Sequence, residues 1–442
     1  MRKRYRARKF KLSKRLIGLF LLPWVMMACI WWWLGAEDRE IAREQAAEAD
    51  RATELSEVRG RLARELGPFF LHNQFPTETE MFWNGQTHKV KIDYSIDSDL
   101  QKEADKLLKS YRPDYGSVVV MDALTGRVLA MSSYQKKDSS APSLALRGTF
   151  PAASIFKIVT ATAAVDKYKL SPDTIVLFNG SNYTLYKKNV METKRNRWTR
   201  QMTIREAFGR SINTVFGRLT FERLQPQDLE EYAVRFGFNT KIDSDLPFDP
   251  GFTEIPDEKV YQLAEIASGF NKVTRMSPLQ GAMIAASVAS SGKMMVPTII
   301  DRIRDETGDL LYQSEPVTAA VTMTPEGAER LKKLMSSTIS RGTSAKSFRP
   351  LVRDRKFREL ELGGKTGSLT GDNPRGKVDW FVGYAIGGQD SRLAIAAITV
   401  NVDKWTVKSS HLAQSLFRKH FKDQFSERNE RFFNASNDHR DR

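Results

Sequence analysis

The sequence predicts a layered α/β domain carried behind one membrane-spanning helix. Three observations predict it. Late in the chain, Gly363–Leu369, Asp379–Ala385 and Leu393–Val400 are short β-branched and aromatic runs separated by turn-like stretches, the pattern of successive strands. Earlier, Phe150-Pro151-Ala152-Ala153 turns into the apolar, alanine-rich run Ile155 to Val165, which reads as a buried helix opened by Ser154. Ahead of both, Ile17 to Gly35 is nineteen residues without a charge, about the length that crosses a bilayer as a helix.

The N-terminal elements follow from charge. The formal net charge is +16, and residues 1–15 hold nine Lys or Arg and no acid, which leaves 16 − 9 = +7 for the rest. A basic excess can mark a nucleic-acid binder, but here most of it flanks an apolar segment, so membrane topology explains it and no nucleic-acid partner is expected. Residues 1–16 are read as a cytoplasmic tail and 17–35 as an uncleaved signal anchor, with Trp31-Trp32-Trp33 at the outer interface and the rest exported. A cleaved signal peptide is the alternative, disfavoured by the long apolar stretch and the lack of an A-x-A site. Lipidation at Cys29 is disfavoured because Ile30-Trp31-Trp32-Trp33 continues apolar.

Residues 36–67 are charged and helical in composition. A heptad-like register through Ile41, Ala52, Leu55, Leu62 and Leu66 also places Gln45, Glu48 and Arg59 in the seam. That favours a solvated juxtamembrane stalk over a coiled coil that would make a homodimer. Gly67-Pro68 is expected to end the helix. Residues 68–91 are read as a connector, 92–420 as the catalytic domain and 421–442 as a polar, disordered tail. Lys187 to Arg200 carries six Lys or Arg against Glu192. It reads as a solvated surface loop near the groove, with an acidic peptide or phospholipid headgroups as the alternative contact.

Composition excludes several chemistries. One cysteine rules out an internal disulfide and a cysteine-based zinc site, and five scattered histidines form no H-E-x-x-H. There is no Walker loop and no dinucleotide fingerprint, so no cofactor and no metal is expected.

What remains is an ordered trio: Ser154-Ile155-Phe156-Lys157, then Ser211-Ile212-Asn213, then Lys365-Thr366-Gly367. A hydroxyl nucleophile needs a base beside it, and three residues along a helix is one turn, so Lys157 can reach Ser154. The later pieces add a second hydroxyl, an amide and a cation. The S-x-x-K spacing recurs at Ser133–Lys136 and Ser290–Lys293. Ser133 follows a strand-like run, however, and Ser290 precedes Gly292 at what reads as a helix end. Only Ser154 opens a helix, and S-x-N and K-T-G each occur once.

The trio resembles the motif set of the penicillin-binding protein transpeptidases and serine β-lactamases, the acyl-serine D,D-peptidases. Further stretches are similar too. They are Tyr94 to Gln101, Gly116 to Asp122 running on through Thr125 to Met131, Val273 to Ala289 before the K-T-G strand, and Lys365 to Tyr384. Together they span about residues 92 to 420. The resemblance implies a central antiparallel sheet flanked by helices, plus an all-helical subdomain. It implies a monofunctional, class B-like member with a very short N-terminal region, without the pedestal or glycosyltransferase domain that many relatives carry.

The resemblance also implies roles. Ser154 is the nucleophile, Lys157 its base, and Ser211 a proton bridge between the two lysines. Asn213 binds the substrate amide. Lys365 and Thr366 bind a carboxylate, and Gly367 lets the substrate lie along the strand. The backbone N–H groups of Ser154 and Ser368 form the oxyanion hole. The sequence departs from many relatives at Ala152-Ala153, where they carry Gly before the serine, and at Ser368, where they carry Thr. The implied reaction is D,D-transpeptidation of peptidoglycan stem peptides ending in D-Ala-D-Ala, blocked by β-lactam antibiotics, at the inner membrane with other cell-wall synthesis proteins as partners. D,D-carboxypeptidation or β-lactam hydrolysis with water as acceptor stays open, as does a non-catalytic wall-binding or sensor protein on the same fold.

Overall fold

The structure, a computed structural model, describes residues 50–422 apart from positions 139, 192, 193, 389 and 390. Two compact units divide the chain, one ending at Val58 and one beginning at Arg59. Of the first, residues 50–58 are described and are helical. The basic tail, the expected anchor over 17–35 and residues 423–442 of the expected polar tail lie outside the described residues. Among those described, no helix is long and apolar enough to cross a membrane.

The second unit opens with helix α1, which covers residues 59–71 and runs through Gly67-Pro68 instead of ending there. Leu62, Leu66 and Phe70 recur at four-residue steps, and all are buried. An interior proline costs about 3 kcal/mol, whereas each large apolar side chain removed from water contributes about 1.5–3 kcal/mol. The continued stripe therefore outweighs the proline. Phe70 also meets Tyr94 edge-on, with ring centroids 6.1 Å apart. The chain leaves the helix at Asn73, whose φ of 55° is left-handed. Expected as solvated stalk, this stretch is instead part of the domain: even Arg59 is buried, donating from Nη2 to Glu315 O at 2.6 Å.

The expected connector is likewise structured. Glu78–Trp83 and Gln86–Tyr94 pair antiparallel about Asn84-Gly85, both at positive φ (48° and 86°). Ile300–Asp305 and Leu310–Gln313 extend the pair to four strands. The Asn-Gly pair is itself a strong hairpin signal.

A five-stranded antiparallel sheet forms the centre. Its strands are β1 (Tyr115–Asp122), β2 (Val128–Gln135), β3 (Glu361–Asp372), β4 (Arg375–Ile386) and β5 (Arg392–Asn401), in the order β3-β4-β5-β1-β2. The strands alternate faces. Leu393, Ile395 and Ala397 join one core with residues of α2 (Ser98–Tyr111), α7 (Ala345–Arg353) and α8 (residues 409–422). The opposite face is covered by α5 (Pro278–Ala289), whose twelve residues are all buried. A helix apolar all round has to be enclosed. Its Gly281 lies so close to the sheet that a Cβ would sit 3.0 Å from that of Ala396. Between β2 and β3 the chain also adds α3 (Lys157–Thr162), α4 (Asn213–Arg223), α6 (Pro325–Ser340) and further helices, but the region expected to be all-helical also holds an antiparallel strand pair, Ile175–Phe178 with Arg200–Thr203.

Candidate active site

The turn that carries Ser154 is held from three sides. Trp380 on β4 donates from Nε1 to Pro151 O at 2.9 Å, and its ring meets Phe150 edge-on. Ala152 N donates to Thr274 O at 2.9 Å. Ala153 then takes a left-handed φ of 49°, and Ala153–Phe156 form a tight helical turn feeding α3. An alanine there carries a steric cost that glycine would avoid. On β3, a Cβ at Gly367 would come within 3.3 Å of Ala152 O and Ala153 Cβ. Glycine therefore lets the strand lie against the serine turn.

Lys157 has no solvent exposure. Its Nζ lies 2.8 Å from Ser154 Oγ and 2.7 Å from Asn213 Oδ1, and it donates to Ser268 O in a short contact. The Asn213 amide is oriented by its own donation to Tyr183 O at 2.7 Å, which turns Oδ1 toward the lysine. Burial, helped by the charge of Lys365, pushes the Lys157 ammonium well below the usual lysine range.

Lys365 is equally enclosed. It donates to Ser211 Oγ at 2.8 Å and to Thr366 O at 2.7 Å, and burial lowers it to about 7. Ser211 sits at a left-handed φ of 57°, between a helix ending at Gly209 and α4. Among the described residues its hydroxyl bonds Lys365 and makes no hydrogen bond to Lys157, so the expected bridge between the lysines spans only one side. Asn213 likewise differs from expectation: it is buried and already engages Lys157 and Tyr183, with one amide N–H left over.

Three contacts had no counterpart in the motif reading. The Thr366 hydroxyl hydrogen-bonds that of Thr343. Ser368 Oγ donates to Asp379 Oδ1 at 3.2 Å; Asp379 lies directly opposite on β4, also accepts from Ser409 N at 2.8 Å, and is raised by burial. The third is the Ser268 carbonyl on Lys157. Cross-strand register would have found Asp379; nothing in the sequence marks the others. The two other S-x-x-K spacings are structural. Ser133 lies on β2, and Ser290 caps the end of α5 by donating to Ala286 O at 2.8 Å. The basic segment contributes the helix Lys187–Met191 and the exposed Trp198.

A buried lysine beside a serine, with a second buried lysine beside a second serine, is an arrangement for acyl transfer without metal or histidine. Residues 116–422 match the family model for the penicillin binding protein transpeptidase domain. Over 299 residues the chain is 24% identical to stage V sporulation protein D of Bacillus subtilis, covering 64% of this chain and 44% of that protein. It is 26% identical over 317 residues to penicillin-binding protein PbpB of Mycolicibacterium smegmatis, covering 66% and 46%. The chain thus spans less than half the length of these two relatives. In fold it is similar to the D,D-transpeptidase domain of a peptidoglycan glycosyltransferase from Eggerthella lenta. That match has a TM-score of 0.62 at 23% identity and covers 76% of this chain and 84% of the other.

Proposed function

The chain belongs to the penicillin-binding protein transpeptidase family, and from that premise we propose that it is a peptidoglycan D,D-transpeptidase acting through an acyl-enzyme on Ser154. One observation carries the reading. The Lys157 amine has three neighbours, and two of them, Ser268 O and Asn213 Oδ1, can only accept. A neutral amine has two N–H bonds and one lone pair. Spending both N–H bonds on those acceptors aims the lone pair at Ser154 Oγ, 2.8 Å away.

Acylation then runs as follows. Ser154 Oγ attacks the carbonyl of the penultimate D-Ala while Lys157 takes the hydroxyl proton. The oxyanion is met by the N–H groups of Ser154 and Ser368, donors worth about 3 kcal/mol each in such sites. The C–N bond breaks. Ser211 delivers its proton to the leaving D-Ala nitrogen and is reprotonated by the Lys365 ammonium that donates to it, while Lys157 keeps the proton taken from Ser154. The amine of a second stem peptide reverses the path: it attacks the ester, its proton returns through Ser211 to Lys365, and Lys157 returns its own to Ser154. Thr366 and Lys365 bind the terminal carboxylate, the spare N–H of Asn213 a backbone carbonyl of the donor peptide, and Gly367 the peptide backbone. A β-lactam acylates the same oxygen. Residues 17–35 anchor the domain on the outer side of the cytoplasmic membrane, among other cell-wall synthesis proteins.

The test is labelling of the full chain with a fluorescent penicillin. Ser154→Ala is expected to lose the label, while Ser133→Ala and Ser290→Ala keep it; a folded wild type that takes no label defeats the catalytic reading. Incubation with a D-Ala-D-Ala pentapeptide and an acceptor amine is expected to yield cross-linked dimer, and free D-Ala without dimer would make the enzyme a carboxypeptidase. Recovery of the chain in the membrane fraction, lost on deleting residues 17–35, checks the anchor.

A further inference from the structure

The loop between α6 and α7 ties the second motif to the third, and no catalytic lysine takes part. A Cβ on Gly342 would fall 2.1 Å from Gly209 O, so only glycine permits the loop to come this near. The next residue, Thr343, donates its backbone N–H to the same Gly209 O at 3.0 Å, two residues before Ser211. Its hydroxyl is hydrogen-bonded to Thr366 Oγ1 on β3. Ser344 then locks the loop, donating from both N and Oγ to Thr338 O. Thr343 is therefore fixed in its backbone and offers its side chain to one partner, the hydroxyl of the K-T-G threonine.

Resting on the transpeptidase reading above, we propose that Thr343 is a positioning residue for recognition of the substrate carboxylate. A pair of hydroxyls shares one hydrogen bond and has one O–H left to give. With Thr343 donating, the Thr366 proton is turned away from the loop and into the groove. A hydroxyl that accepts one hydrogen bond is polarised to donate another more strongly. Behind it, Lys365 Nζ is bonded to the Thr366 carbonyl at 2.7 Å and to Ser211, so the anion meets an aimed donor over a buried cation. Without the Thr343 hydroxyl, Thr366 can rotate and the cation remains.

The experiment compares acylation of the full chain by a penicillin and by its neutral methyl ester. Wild type is expected to prefer the free carboxylate. Thr343→Val, close in volume and lacking the hydroxyl, is expected to lose about tenfold with the acid and little with the ester, the scale of one hydrogen bond to a charged group. Thr343→Ser is expected to restore the preference, and the melting temperatures of all three proteins to agree closely. An unchanged acid-to-ester ratio in Thr343→Val, or a Thr343→Ser as impaired as Thr343→Val, overturns the proposal while leaving the acyl-enzyme reading intact. Wild type acylated by neither compound overturns both. If Thr343→Val unfolds, Thr343→Ala and Thr343→Cys enter the same ratio measurement, where equal ratios to wild type again count against the role.

Discussion

Ser154–Lys157 and Ser290–Lys293 share one spacing and almost nothing else. The first pair stands where a tight turn winds into α3, so three residues bring the amine back over the hydroxyl at 2.8 Å. The second stands where α5 has just ended. Ser290 spends its hydroxyl on the helix-end carbonyl of Ala286, Ser291 turns left-handed at φ 58°, and Lys293 points into solvent from a short strand. The burial of Lys157 depresses its ammonium, and the second buried lysine depresses it further. One helical turn, a dry site and a second buried lysine coincide at Ser154–Lys157 and are missing at Ser290–Lys293, which is the physical ground for proposing a nucleophile and base at the first pair.

The largest effect that could break this contrast is in the lysines themselves. Lys157→Ala is expected to slow penicillin acylation by roughly 10²–10⁴-fold, the range for loss of a general base, and Lys293→Ala to leave the rate unchanged. Stopped-flow acylation rates read both. Next comes Lys365→Met. Removing the neighbouring cation lets the Lys157 pKa rise, so more of the base is protonated at neutral pH. The acid limb of the acylation pH profile is expected to move to higher pH, and a limb that stays put would show that the lysines do not communicate.

A smaller effect concerns the support of the turn. Trp380→Phe keeps the ring but removes the donor to Pro151 O. A buried acceptor left without its partner costs about 1–3 kcal/mol, expected as a lower urea midpoint, with no counterpart around Ser290.

The same buried cation also makes stability depend on pH. Lys365 titrates near 7 in the folded chain and near 10.4 when unfolded. Between those values the unfolded chain binds more protons, so stability rises with pH through that window and is flat for this group below it. Denaturant unfolding from pH 7 to 10 should show this rise, shallower by one proton in Lys365→Met. Smallest is Ser291→Gly. It relieves a left-handed serine, a cost of about 1–2 kcal/mol, against an added entropy loss for glycine of about 0.5–1 kcal/mol, and is expected to stabilise by about 0.5–1 kcal/mol without touching acylation.

Much of the site was legible because it is local. The Ser154 turn, the Lys157 spacing and the glycine-bearing strand at Lys365 are set by neighbours in sequence, and the contrasting settings of Ser133 and Ser290 could be seen in the residues around them. Elsewhere distant burial overrides local signals. Pro68 reads as a helix end, but the Leu62–Leu66–Phe70 stripe has a core to enter. Residues 68–91 read as a connector although Asn84-Gly85 marks a hairpin.

By itself the sequence determined which groups exist and in what order: the one S-x-x-K serine that opens a buried helix, the single S-x-N, the single K-T-G and the strands that would carry it. Those depend on period, turn chemistry and covalent spacing, which act over a few residues. Only the tertiary structure decided how the groups are aimed. The Ser268 carbonyl reaches Lys157 across 111 positions, and Lys365 reaches Ser211 across 154. A backbone carbonyl carries no side-chain signature, and the dry environment that turns a lysine into a base exists only once both lysines are enclosed by the folded chain.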